Sequence, residues 1–156
     1  MIRHFTASAI VLDDFDQVLL VEHSKMGLWL YPGGHLDPNE DPAQAALREV
    51  REEVRIEVEI IAEHCFEHSS VVVVPSPFTI LVQDVIDSTF GLHQHIDLVY
   101  VCRPLSTDIV HQPEELRGCR WVPCDEVSAF ATPPELPSLI AEAAGYARRQ
   151  RIPASP

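Results

Sequence analysis

Residues 33–56 read GGHLDPNEDPAQAALREVREEVRI, and the fold is best approached from this stretch. Two glycines lead into a loop with Pro38, and a helix start follows. Asp41 suits the N-cap, Pro42 the first helical position, and Gln44 the reciprocal capping-box position. Ala43, Ala46, Leu47, Val50 and Val54 recur at three- and four-residue steps and predict the buried stripe. Glu49, Glu52 and Glu53 fall together at the edge of that stripe. Like charges at this spacing repel one another. A divalent cation relieves the repulsion, and oxygen ligands suit Mg²⁺ or Mn²⁺. The segment therefore points to metal-assisted chemistry on a phosphate ester or anhydride.

Working outward, 156 residues with 46% apolar content suit one domain with a sizeable core, taken as residues 1–156. Residues 5–12 and 18–23 are β-rich and flank DDFDQ, which predicts a hairpin. Residues 25–39 read as a loop, with the paired glycines making a sharp turn. Further strands are expected at 57–66, 71–74, 78–85, 96–103 and 120–122. A short helix is expected at 125–130 and a C-terminal one at about 134–150. Strands alternating with helices give an α/β (α+β) class: a mixed β-sheet with helices packed on it.

The net charge of −13 comes from 24 acidic and 11 basic residues. It disfavours binding to nucleic-acid polymers and to anionic membranes. A polyphosphate is repelled too unless divalent metal intervenes; a solvated acidic surface accounts for the charge without any function. No apolar run is long enough to span a bilayer and no targeting segment is evident, so the expected location is cytoplasmic. None of the four cysteines has Cys-x2-Cys spacing, and reduced structural thiols are expected.

Gly34, Glu40, Arg48, Glu49, Val50, Glu52, Glu53 and Ile56 match in register the signature G-x5-E-x7-R-E-U-x-E-E-x-G-U, where U is bulky and apolar. The chain thus resembles the Nudix hydrolase family in eight of nine specified positions, and the preceding residues 29–33, WLYPG, resemble the family's approach to this box. The departure is Arg55, which stands where the family has glycine. The resemblance covers about residues 3–130 and implies a Nudix-like α/β/α sandwich. It further implies that the Gly33 carbonyl, Glu52 and Glu53 hold Mg²⁺ or Mn²⁺, and that Glu49 holds metal or serves as general base. Arg48 is implied to orient the glutamates, and Glu40 to support the loop. Family members also place a glutamate before a late Trp-containing strand. Here Glu114 and Glu115 precede Trp121, and Glu115 is the better match by spacing, as a further metal ligand or base.

Substrate contacts are less sharply marked. His93 and His95, with Asp97, suit a pocket wall or a phosphate contact; an edge-strand role suits them equally. Trp29, Tyr31, Phe66 and Phe78 suit either base stacking or core packing. The implied activity is Mg²⁺/Mn²⁺-dependent hydrolysis of a diphosphate linkage in a small nucleotide, either a nucleoside diphosphate derivative or a nucleoside triphosphate. Homodimers are common in the family. Two other readings stand beside it: a catalytically silent nucleotide-binding or regulatory module, and isoprenoid diphosphate isomerisation. Retention of every box glutamate favours catalysis over the first, and nothing in the sequence favours the second.

Overall fold

Strand β1 (Arg3–Val11) is buried on both faces over its C-terminal half, which is why it reads as a near-continuous apolar run. The computed structural model describes residues 1–64, 66–109 and 116–151. β2 (Gln17–His23), β3 (Trp29–Leu30) and β4 (Gly33–His35) follow, then helix α1 (Pro42–Val54). Next come β5 (Val58–Ile60), β6 (Thr79–Asp87), β7 (Gly91–Pro104) and β8 (Leu116–Pro123). A 3-10 helix (Cys124–Ala129) and helix α2 (Leu136–Arg151) close the order.

β1 pairs antiparallel with β4 and parallel with β7, from Arg3 opposite Gln94 to Val11 opposite Cys102. β5 and β6 share the other edge of β7, both antiparallel, which completes a five-stranded mixed sheet. β3, β2 and β8 form a second, three-stranded sheet. Alternation along β1 sends Ala7, Ala9 and Val11 toward Ala45, Ala46, Val50 and Val54 of α1. Ile10 and Leu12 turn the other way, into a cluster with Val99, Val101, Leu136, Ile140 and Ala143. Helices thus cover both sides of the strand layer, the expected α/β/α arrangement. Among the described residues no helix is long and apolar enough to cross a membrane.

The hairpin expected from residues 5–12 and 18–23 does not form: the two strands enter different sheets, and a single bridge, Leu12 to Val18, joins their ends. Both edges of β1 are occupied by β4 and β7, so β2 has no edge to pair with. The DDFDQ turn itself is present. The Asp13 carboxylate accepts the backbone N–H groups of Phe15 and Gln17, each at 2.9 Å. The strand expected at 57–66 stops at Ile60, because the same edge of β7 from Gly91 up to Val99 belongs to β6. Residues 71–74 are not a strand; Val72 is 92% exposed. Pro75 and Pro77 follow directly and remove donors a ladder would need. The loop expected at 25–39 contains β3 and β4.

Helix α1 matches its sequence signals. Asp41 accepts the Gln44 N–H at 2.9 Å, and the Gln44 side chain accepts the Asp41 N–H at 2.9 Å. It ends on Arg55 at φ 61°, ψ 30°, in the left-handed conformation that favours glycine.

Candidate metal and substrate site

The paired glycines sit in an extended strand, and a turn is not what requires them. A Cβ on Gly34 would overlap the Glu49 carboxylate, lying 2.6 Å from its Cδ. A Cβ on Gly33 would strike the Ser8 side chain and the Ala7 carbonyl oxygen, the latter at 2.9 Å. Close approach on both faces of β4 is therefore the constraint. Gly34 lies against the acidic edge of α1, while Gly33 and His35 belong to the opposite face, above Ser8 and Thr6.

On the α1 side, Arg48 gathers the carboxylates. It donates to Glu40 at 2.7 Å, to Glu49 at 2.9 Å and to Glu52 at 3.2 Å, and it also donates to the His35 carbonyl at 2.9 Å. Glu40 accepts the Asp37 N–H at 2.7 Å, which ties the loop to the helix. Hydrogen bonding from Arg48, aided by the Asp37 N–H, holds the Glu40 carboxyl below the usual range. The hydrogen bonds to Glu40 first and then to Glu49 push the Arg48 guanidinium up, so its charge is permanent. Exposure grades across the glutamates: Glu53 is 4% exposed, whereas the Glu52 side chain is 60% exposed. Three carboxylates on adjoining turns, one of them buried, stand beside a strand with no Cβ at Gly34; their oxygens do not all lie within 4.8 Å of one another, so an ion would have to draw them together into an all-oxygen donor set. Its chemistry fits Mg²⁺ or Mn²⁺ better than a soft ion. Glu114 and Glu115 lie outside the described residues.

On the other side of β4 opens a cleft of about 700 Å³. Gly33, Gly34, Tyr31, Thr6, Ser8, His95 and Asp97 line it, with Leu81, Gln83 and Val85 of β6 and Pro133, Pro134, Glu135, Leu136 and Leu139 around α2. Asp97 is 4% exposed and accepts hydroxyl bonds from Thr6 at 2.9 Å and Ser8 at 2.8 Å. Burial outweighs these bonds and raises its pKa. Burial, reinforced by the charges of Asp97 and Glu135, likewise raises the Tyr31 hydroxyl.

The substrate-contact expectations divide. His95 lines the cleft, whereas His93 is fully buried and meets His95 at 3.1 Å between Nε2 atoms. Trp29 lies outside the cleft lining; it packs edge-on to Phe130 at 5.5 Å, with the Arg120 guanidinium over its ring. Phe66 is exposed in a loop and Phe78 packs on Tyr146, while Tyr31 does face the cleft. Thr6, Ser8, His4 and His35 were not anticipated. A signal existed for most of them: His4, Thr6 and Ser8 alternate with Phe5, Ala7 and Ala9. His93, His95 and Asp97 alternate in the same way with Gln94, Ile96 and Leu98. Two strands with polar residues at every second position imply a shared polar face.

A family model described as the NUDIX domain matches residues 2–143. A Bacillus subtilis protein assigned as an 8-oxo-dGTP diphosphatase is 46% identical over 46 residues, 30% of this chain and 31% of that protein. Nudix hydrolase 8 of Arabidopsis thaliana is 28% identical over 123 residues, 74% of this chain and 28% of that protein. The chain thus spans less than a third of the length of each of these curated relatives. The crystal structure of a NUDIX-family hydrolase from Clostridium perfringens superposes with a TM-score of 0.81 at 25% identity, covering 94% of this chain and 99% of that one.

Proposed function

The chain belongs to the Nudix family, and from that premise we propose that it acts as a single-domain pyrophosphohydrolase dependent on Mg²⁺ or Mn²⁺. Its substrate is a small nucleotide, a nucleoside diphosphate derivative or a nucleoside triphosphate, cleaved at a diphosphate linkage in the cytoplasm. The observation that carries this reading is the convergence of Glu40, Glu49 and Glu52 on Arg48, with the Glu49 carboxylate seated against Gly34.

Glu49, Glu52, Glu53 and the Gly33 carbonyl would hold the metal, joined by Glu115. When bound, a divalent ion lowers the pKa of a coordinated water and offsets charge on the phosphates. Arg48 fixes the directions of Glu49 and Glu52 and stays out of contact with substrate. Glu49 or Glu115 accepts the proton from water as the oxygen adds to one phosphorus, the bridging P–O bond breaks, and the other phosphate departs. The cleft walls bind the nucleoside: Leu30, Leu81 and Val85 supply apolar surface, and Tyr31, Gln83 and Asp97 supply hydrogen-bonding groups. His95, which lines the cleft, contacts the substrate in this reading, and His93 acts only through it.

The name of the Bacillus relative makes 8-oxo-dGTP the first compound to test. A screen of 8-oxo-dGTP, ordinary dNTPs, nucleotide sugars and dinucleoside polyphosphates, with and without Mg²⁺ or Mn²⁺, decides the reading. Hydrolysis of at least one class is expected, lost on chelation and reduced by on the order of a hundredfold or more in Glu53→Gln. Equal turnover by wild type and Glu53→Gln, or no turnover of any class, would overturn it.

A further inference from the structure

Four imidazoles meet at the far end of the cleft floor, on the side of β4 away from the glutamates. His4 and His95 are direct neighbours in the parallel β1–β7 pairing. His35, opposite Thr6 on β4, sits diagonally across from His4. One ring nitrogen each from His4, His35 and His95 lies within 4.8 Å of the other two. His35 Nε2 and His4 Nδ1 are 3.3 Å apart, and the His35 and His95 ring centroids are 4.9 Å apart. Among the described residues this is the one group of three such side chains so placed.

We propose that His4, His35 and His95 form a second cation site, selective for Zn²⁺ or a similar borderline transition ion and separate from the carboxylate site across β4. The chemistry of the donors sets the selectivity. Imidazole suits Zn²⁺, Ni²⁺ and Cu²⁺, and it is a poor ligand for Mg²⁺. Three histidines contributed by three strands leave a fourth position for water or a ligand oxygen. Behind them, His93 hydrogen bonds through Nδ1 to the Gly91 carbonyl at 3.0 Å and through Nε2 to His95 at 3.1 Å. Asp87 stands 3.6 Å from His93 Nε2. Such an outer shell holds a ligand imidazole in a fixed orientation. Because His95 also lines the cleft, a bound ion sits where it can reach a substrate or product oxygen. The His35 carbonyl accepts from Arg48, which gives the two sites one backbone link.

The test is metal binding to the full chain, independent of turnover. Apo-protein prepared by chelation is titrated with Zn²⁺ by calorimetry and with Co²⁺ by visible absorption, in millimolar Mg²⁺ to occupy the hard site. One Zn²⁺ per chain and a Co²⁺ spectrum of nitrogen–oxygen ligation are expected. Affinity should fall by about tenfold or more in His35→Ala, an exposed position whose loss leaves the core intact, and likewise in His4→Ala. Glu53→Gln and His68→Ala, the latter remote from the cluster, should bind Zn²⁺ as the wild type does. Absence of Zn²⁺ binding, binding unchanged in His35→Ala, or binding abolished by Glu53→Gln would each overturn the proposal. Since Glu53→Gln removes the hydrolytic metal site and leaves this one untouched, the two readings fail independently.

Discussion

Alanine at Gly33 should cost stability and alanine at Gly34 activity, although the residues are adjacent and chemically identical. At Gly34 the three atoms nearest the added Cβ all belong to the Glu49 carboxylate, among them Cδ at 2.6 Å and Oε2 at 3.0 Å. The carboxylate can swing away without moving backbone. That movement breaks the 2.9 Å bond from Arg48, worth about 1 kcal/mol at a partly exposed site. Reduced freedom of the unfolded chain returns roughly 0.4–1 kcal/mol. Folding stability should therefore change by less than about 1 kcal/mol. Catalysis is a different matter, because a displacement of about 1 Å in a catalytic group costs on the order of a hundredfold. At Gly33 the Cβ overlaps the Ser8 hydroxyl and lies 2.8 Å from Ser8 Cβ and 2.9 Å from the Ala7 carbonyl, against the neighbouring strand β1. Ser8 must give up its 2.8 Å bond to the buried Asp97, at roughly 1.5–3 kcal/mol for a charged acceptor. Crowded backbone adds about 1–3 kcal/mol. The sum, about 2.5–6 kcal/mol, lowers Tm by on the order of 10 °C in a chain of this size. Thermal denaturation of both variants, beside metal-dependent hydrolysis by Gly34→Ala, separates the two effects. Equal loss of stability in both, or full activity in Gly34→Ala, would refute the assignment of one glycine to each face.

Two further outcomes follow from single residues. Arg55→Gly should stabilise by about 0.5–1 kcal/mol, since a non-glycine residue in the left-handed region costs about 1–2 kcal/mol and glycine's extra unfolded-state freedom takes part of that back; a Tm rise of roughly 2–4 °C with unchanged kcat checks it, and a large gain in activity would show a role in the site. Asp97 has a raised pKa in the folded state, so the native protein holds its proton to higher pH than the unfolded chain does. Stability must then decline as pH rises from the ordinary aspartate range, ~3.9, up to the folded value. Asp97→Asn removes that decline. Denaturant melts of wild type and variant from pH 4 to 7 should diverge in the variant's favour, and parallel curves would contradict it.

Local rules carried much of the structure. Asp41, Pro42 and Gln44 cap α1 as their spacing requires, and the apolar steps from Ala43 to Val54 face β1. The same helix delivers the glutamates, so the hydrolytic half of the candidate site was legible within one continuous segment. What failed was pairing. Residues 5–12, DDFDQ and 18–23 look like a hairpin by every local criterion, yet the edge of β1 goes to β7, some ninety positions later. No local pattern announces that choice, because it is made by burial: β1 is buried on both faces over its C-terminal half and belongs at the centre of a sheet. Residues 71–74 failed for the complementary reason. Four valines satisfy strand propensity, but Pro75 and Pro77 block the ladder and β7 has no edge left to offer.

The division of labour across β4 depends on that same non-local pairing. A parallel register one residue out would turn His95 and Asp97 toward α1 and bring Ile96 and Leu98 into the cleft. The polar floor of Thr6, Ser8 and Asp97 and the imidazole cluster of His4, His35 and His95 would vanish together, while the box on α1 would be untouched. Chemistry and recognition in this chain are thus specified by different physics. The reacting groups follow from helical periodicity inside one segment, and the cleft that selects what reaches them follows from strand register between segments far apart in sequence. Substitutions that leave α1 intact but shift β1 against β7 should therefore alter substrate choice before they alter reaction type.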